Sequence, residues 1–120
     1  MSTYRPDSWV PVLIRSEKHG PVYKILCSWY GGFGGSDYWK LSSGIESITI
    51  ETDVNDPTNP GTLTMPQSSG SVYVVSGDPH MSGLMGSVLD NFKREAEESN
   101  GLFTIETVTL EDLLDVFCST

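Results

Sequence analysis

The stretch VYKILCSW, Val22 to Trp29, decides how this chain is read. Tyr23, Ile25, Cys27 and Trp29 alternate along it, so an extended backbone turns all four apolar side chains to one face. Val22, Lys24, Leu26 and Ser28 share the other face. β-Branched and aromatic residues suit a pleated, half-buried surface, so the stretch reads as a strand whose first face points at a core.

Working outward, SWVPVLI (Ser8–Ile14) reads as a preceding strand, with Pro11 hinting at an edge or a bulge. The intervening RSEKHG is a turn ending at Gly20-Pro21. Downstream, a glycine-rich loop leads into YWKL (Tyr38–Leu41), and a Ser42-Ser43-Gly44 turn leads into IESITIET (Ile45–Thr52). DVNDPTNPG (Asp53–Gly61) is a surface loop by its Asn, Asp, Pro and Gly content. TLTM and SVYVV are two more strands about the turn PQSSG.

Residues 81–101 carry the strongest helical signal. Leu84, Met85, Val88, Leu89, Phe92 and Ala96 fall on one stripe, Ser82 or Asp78-Pro79 could cap the start, and Asn100-Gly101 suits a stop. Gly83 and Gly86 each cost about 1 kcal/mol against alanine inside a helix. Either a closely packed strand or an anion on exposed N–H groups would offset that cost. LFTIETV is a last strand, and TLEDLLDVF a short helix with Thr109 as N-cap and Asp112 at N3. Hairpin-length connections imply antiparallel pairing. The expectation is one α+β domain over residues 1–120: an antiparallel sheet of five to six strands, one long helix packed on a face, and a short C-terminal helix.

Composition narrows the function classes. No apolar run reaches the roughly 20 residues of a membrane span, and MSTYRPDSW carries no hydrophobic signal-peptide region. Two cysteines, Cys27 and Cys118, fit a reducing compartment, so a cytoplasmic location is expected. The net charge of −9 is uneven. Residues 1–50 hold five basic against four acidic residues, whereas residues 51–120 hold two against twelve. Duplex nucleic acid, which requires clustered Lys and Arg, is therefore not an expected partner. Glu95, Glu97, Glu98, Glu111, Asp112 and Asp115 form either a solvated face or a surface facing a basic protein.

Catalytic and metal motifs are lacking. His19 and His80 are the only histidines, with no Cys or His at ligand spacing, so no metal and no cofactor are expected. Asp78, His80 and Ser82 offer the residue types of nucleophilic catalysis, but alternate residues before a helix read as a capping turn, so no enzyme is expected. GGFGG (Gly31–Gly35) lacks both the Gly-Lys-Ser/Thr ending of a phosphate loop and dinucleotide-site spacing.

What remains is a binding set: Tyr30, Phe33, Tyr38, Trp39 and Lys40 about the glycines, with Ser82 and Gly83 at the helix start. Such rings stack on a base or fill a partner's pocket. The competing reading makes Trp29 and Trp39 core anchors of a hairpin that the glycines close. A mixed arrangement is expected, with Trp29 in the core and Tyr30, Phe33 and Tyr38 nearer the surface.

The blocks YRPDSWV, WYGGFGGSDYWKLSSGI and MSGLMGSVLDNF resemble small uncharacterised bacteriophage proteins that pair a Gly-Gly loop with a Trp-Lys-Leu-Ser-Gly-like stretch. The resemblance covers most of residues 4–92 and brings no site residues. It implies a non-enzymatic accessory protein in a bacterial host cytoplasm, binding and inhibiting a host protein such as a defence factor. The alternative is a sponge for a nucleotide-like small molecule at the glycine and aromatic loop. Self-association is compatible with either.

Overall fold

A computed structural model describes residues 2–30, 38–52, 55, 56, 58 and 61–118. In chain order the elements are β1 (Thr3–Tyr4), β2 (Ser8–Ser16), β3 (Gly20–Trp29), β4 (Tyr38–Leu41), β5 (Thr49–Glu51), β6 (Thr62–Pro66), β7 (Val72–Ser76), α1 (Gly83–Glu98), β8 (Phe103–Thr107) and α2 (Leu110–Cys118). The class is α+β, with a long helix and a short C-terminal one as expected.

The long β2–β3 hairpin is the frame. Ser8 lies opposite Ser28 and Ser16 opposite Gly20, where a glycine at φ 68° closes the turn. β4 extends the sheet beside β3 and β8 beside β2, giving the antiparallel order β4-β3-β2-β8. Pro11 sits in β2 just past the last β8 pair, Val12 with Thr107, so its missing N–H interrupts no ladder there.

The single sheet of five to six strands is corrected to two sheets of four. The second has the order β1-β7-β6-β5, and its β1 runs parallel to β7. The hairpin itself explains the split, because both of its faces are apolar. One helix covers only one face, so the other needs a second layer. The chain changes sheet after β4. The Ser42 and Ile45 N–H groups still donate to Ile25 and Tyr23 carbonyls of β3, and Glu46 N–H then donates to Pro66 of β6. Buried Gln67 braces the crossing, accepting from Gly44 N–H at 3.3 Å and donating to the Met65 carbonyl at 2.9 Å.

Two cores result. Trp9, Ile25, Cys27, Leu63, Met65, Tyr73, Val75 and Leu113 fill the space between the sheets, with α2 adding Leu110 and Phe117 at its margin. On the outer face of the first sheet, Val12, Leu26 and Ile105 meet Met85, Val88 and Leu89 of α1, flanked by half-buried Leu84, Phe92 and Ala96. Ser82 caps α1, its Oγ accepting from Met85 N–H at 3.3 Å, and Asn100 and Gly101 end it with φ of 58° and 89°. Thr109 caps α2 by accepting from Asp112 N–H at 3.1 Å. Among the described residues, no helix is long and apolar enough to cross a membrane.

Candidate functional site

Strand register builds the site. Ser8 pairs with Ser28 and Ser28 with Trp39, so these three side chains stand in a row across one face of the first sheet. It is the face that carries Leu26 and is covered by α1. Tyr30, two residues beyond Ser28, belongs to the same end.

The segment entering α1 closes over this row. His80 N–H donates to the Trp9 carbonyl at 3.0 Å, and its Nε2 lies 3.1 Å from Ser8 Oγ. Ser82 Oγ lies 2.8 Å from Ser28 Oγ, and the Tyr30 hydroxyl 3.3 Å from Ser8 Oγ. His80 Nδ1 is 3.2 Å from the Asp78 backbone carbonyl, which can only accept, so Nδ1 holds the proton. In the neutral ring Nε2 is then the acceptor for the Ser8 hydroxyl, which leaves Ser8 Oγ to accept from the Tyr30 hydroxyl. Asp7 fixes Tyr30 further, its Oδ2 accepting from Tyr30 N–H at 2.8 Å.

This network is a clamp. Ser8 and Ser28 are buried, and their hydroxyls are spent on internal partners. Of the Asp78, His80 and Ser82 set, His80 engages Ser8, Ser82 engages Ser28, and Asp78 contributes its backbone carbonyl to His80. Ser8 and Ser28 escaped the sequence reading because only strand register brings them together. Among the described residues no group of three His, Cys, Asp or Glu side chains could hold a metal.

The aromatic set divides between the two faces of β4. Tyr38 stacks on Trp29 with ring centroids 4.9 Å apart, and the Trp29 indole donates to the Arg5 carbonyl at 3.1 Å. Lys40 Nζ lies 4.7 Å from the centre of the Tyr4 ring. Hydrogen bonding to Ser2, and then to Lys40, lowers the Tyr4 hydroxyl pKa. Deeper in, burial pushes the Cys27 thiol from 9.0 up to about 12, partly opposed by Lys40. Burial also raises Tyr73, whose hydroxyl lacks a hydrogen-bond partner among the described residues. Trp39 points the other way and meets Phe92 of α1 edge to face at 5.7 Å.

Trp39 and Tyr38 therefore cannot close on one ligand as two sides of a sandwich. They remain open to solvent nonetheless, at 41% and 57% exposure, as do Tyr30 at 57% and Met81 at 41%. Phe33 lies outside the described residues. No match to this chain emerges among protein-family models, curated proteins or solved structures.

Two further placements bear on that surface. A Cβ at Gly83 would meet nothing within 4 Å, and one at Gly86 only Met81 Sδ at 3.8 Å. Close strand packing is thus not what offsets these glycines. The acidic residues lie on two helices: Glu95, Glu97 and Glu98 on α1, and Glu111, Asp112 and Asp115 on α2. The helices pack on opposite faces of the first sheet, so the acids do not form one face of a single element. At the far end of β3 lies a shallow groove of about 860 Å³ beside Tyr23, Lys24, Gly44 and Phe117, which the sequence reading did not anticipate.

Proposed function

We propose that this protein acts by binding another protein through the corner formed by Tyr30, Tyr38, Trp39 and Met81. The observation that carries the reading is that all four stay exposed where three segments of the chain meet. These four exposed side chains come from the end of β3, the start of β4 and the entry to α1. The serine–histidine clamp ties that entry to β2 and β3 beneath them. Tyrosine, tryptophan and methionine are enriched at binding surfaces, and rigid support lowers the entropy lost on contact. The acids of α1 and α2 add long-range attraction for a basic partner. With the resemblance to small bacteriophage proteins, the partner is a host protein that the bound chain blocks.

The test is affinity capture from bacterial lysate followed by binding kinetics. Tyr30→Ala and Tyr38→Ala are expected to cost about 2 kcal/mol each through faster dissociation, as anchors do. Glu97→Lys/Glu98→Lys is expected to slow association and flatten its salt dependence. A captured partner indifferent to both tyrosines would refute the reading. A nucleotide-like ligand is the second reading, favoured by the open surface at Gly83 at the start of α1 and by the exposure of the Tyr38 ring. Calorimetry against mono-, di- and cyclic nucleotides decides it, with Tyr38→Ala and Lys40→Ala expected to abolish the heat.

A further inference from the structure

We infer that the groove between β4 and α1 receives one basic side chain, an arginine or a lysine, from the partner protein. The inference rests on the protein-binding reading and names the chemistry that this part of the surface selects. Trp39, Val88, Asn91, Phe92 and Glu95 line a groove of about 270 Å³. That falls below the roughly 300–1,000 Å³ of sites for whole small molecules, so a single side chain fits better than a nucleotide.

The lining selects for positive charge. Trp39 and Phe92 supply two aromatic rings, whose negative faces attract a cation. Asn91 and Glu95 are one helical turn apart on α1, which places their side chains together at the groove. Glu95 forms no ion pair among the described residues. Its neighbour Lys93 lines a different groove, with Phe103 and Thr104. An apolar side chain seated here would strip water from Glu95 and Asn91 and return no hydrogen bond. A guanidinium answers every element: it stacks on the indole, donates to the carboxylate in fork geometry and keeps its charge at any working pH.

Nitrogen-15 spectra of the full chain supply a direct reporter. The Trp9 and Trp29 indole N–H groups are held by the Ser76 and Arg5 carbonyls, at 2.7 and 3.1 Å, and serve as internal references. The Trp39 indole signal is the one to follow. The probes are a blocked Gly-Ser-Arg-Ser-Gly peptide and the same peptide with citrulline, which keeps the shape and loses the charge. At low ionic strength the arginine peptide is expected to move the Trp39 signal saturably, with affinity about fivefold above that of the citrulline peptide. Glu95→Gln should remove about the same factor from arginine and leave citrulline unchanged.

Equal response to the two peptides, no Trp39 response, or indifference to Glu95→Gln would each overturn the inference. Failure here leaves the binding reading standing if Tyr30→Ala and Tyr38→Ala still weaken capture of the partner. Conversely, peptide titration with tyrosine-independent capture would refute that reading and keep the basic-side-chain site.

Discussion

The two faces of the first sheet differ in how completely they are covered. The face toward the second sheet meets another sheet and a helix, and Trp9, Ile25, Cys27 and Tyr73 are at most 1% exposed there. The opposite face meets α1 alone. One helix covers Val12 and Leu26, but near its start the coverage gives way to the clamp of Ser8, Ser28, Ser82 and His80. At its edge Trp39 is left 41% exposed. Sheet-on-sheet packing thus closes one face, whereas the face under a single helix leaves the Trp39 ring accessible at its edge.

Two tryptophans, one on each face, give the sharpest contrast. Trp9→Ala is expected to cost about 3–5 kcal/mol in chemical denaturation, since it empties the inter-sheet core and orphans the Ser76 carbonyl. Trp39→Ala is expected to cost less than about 1 kcal/mol, because that ring touches chiefly half-buried Phe92. Similar losses from both would erase the distinction between a fully and a partly covered face.

Alkaline pH probes the covered face alone. The folded Cys27 pKa lies above its ordinary value, so its contribution to stability is complete below about pH 9 and is lost as pH rises toward about 12. The expected slope reaches about 1.4 kcal/mol per pH unit. Cys27→Ala should flatten the profile just above pH 9, leaving the later decline contributed by buried Tyr73. A profile unchanged by Cys27→Ala would show that the thiol is not desolvated as the packing implies.

The smallest expected effect is a gain. The Tyr73 hydroxyl is buried without a hydrogen-bond partner among the described residues, which carries a desolvation penalty. Tyr73→Phe keeps the ring against Tyr4, at a centroid distance of 5.0 Å, and is expected to stabilise by about 1 kcal/mol. A loss of stability would reveal a polar partner in that core.

Much of this was legible in the residues. Alternation fixed the inward face of β3, the apolar stripe and its caps fixed α1, and Thr109 with Asp112 fixed α2, because each signal is local and has a period. The candidate rings were legible as a group by composition, but their division was not. Tyr38 and Trp39 are adjacent in sequence yet lie on opposite faces of β4, one against Trp29 and the other against Phe92.

The sequence by itself determined both helices and most of the extended segments, though not β1 nor the shortening of IESITIET to Thr49–Glu51. Only tertiary structure decided that the strands form two sheets, that β1 lies parallel to β7, and that Ser8, His80, Ser28 and Ser82 meet. The physical reason is range. Periodicity and capping act within a few residues, whereas sheet order and the meeting of residues 8 and 80 follow from long-range packing: two apolar faces on one hairpin, each needing its own cover.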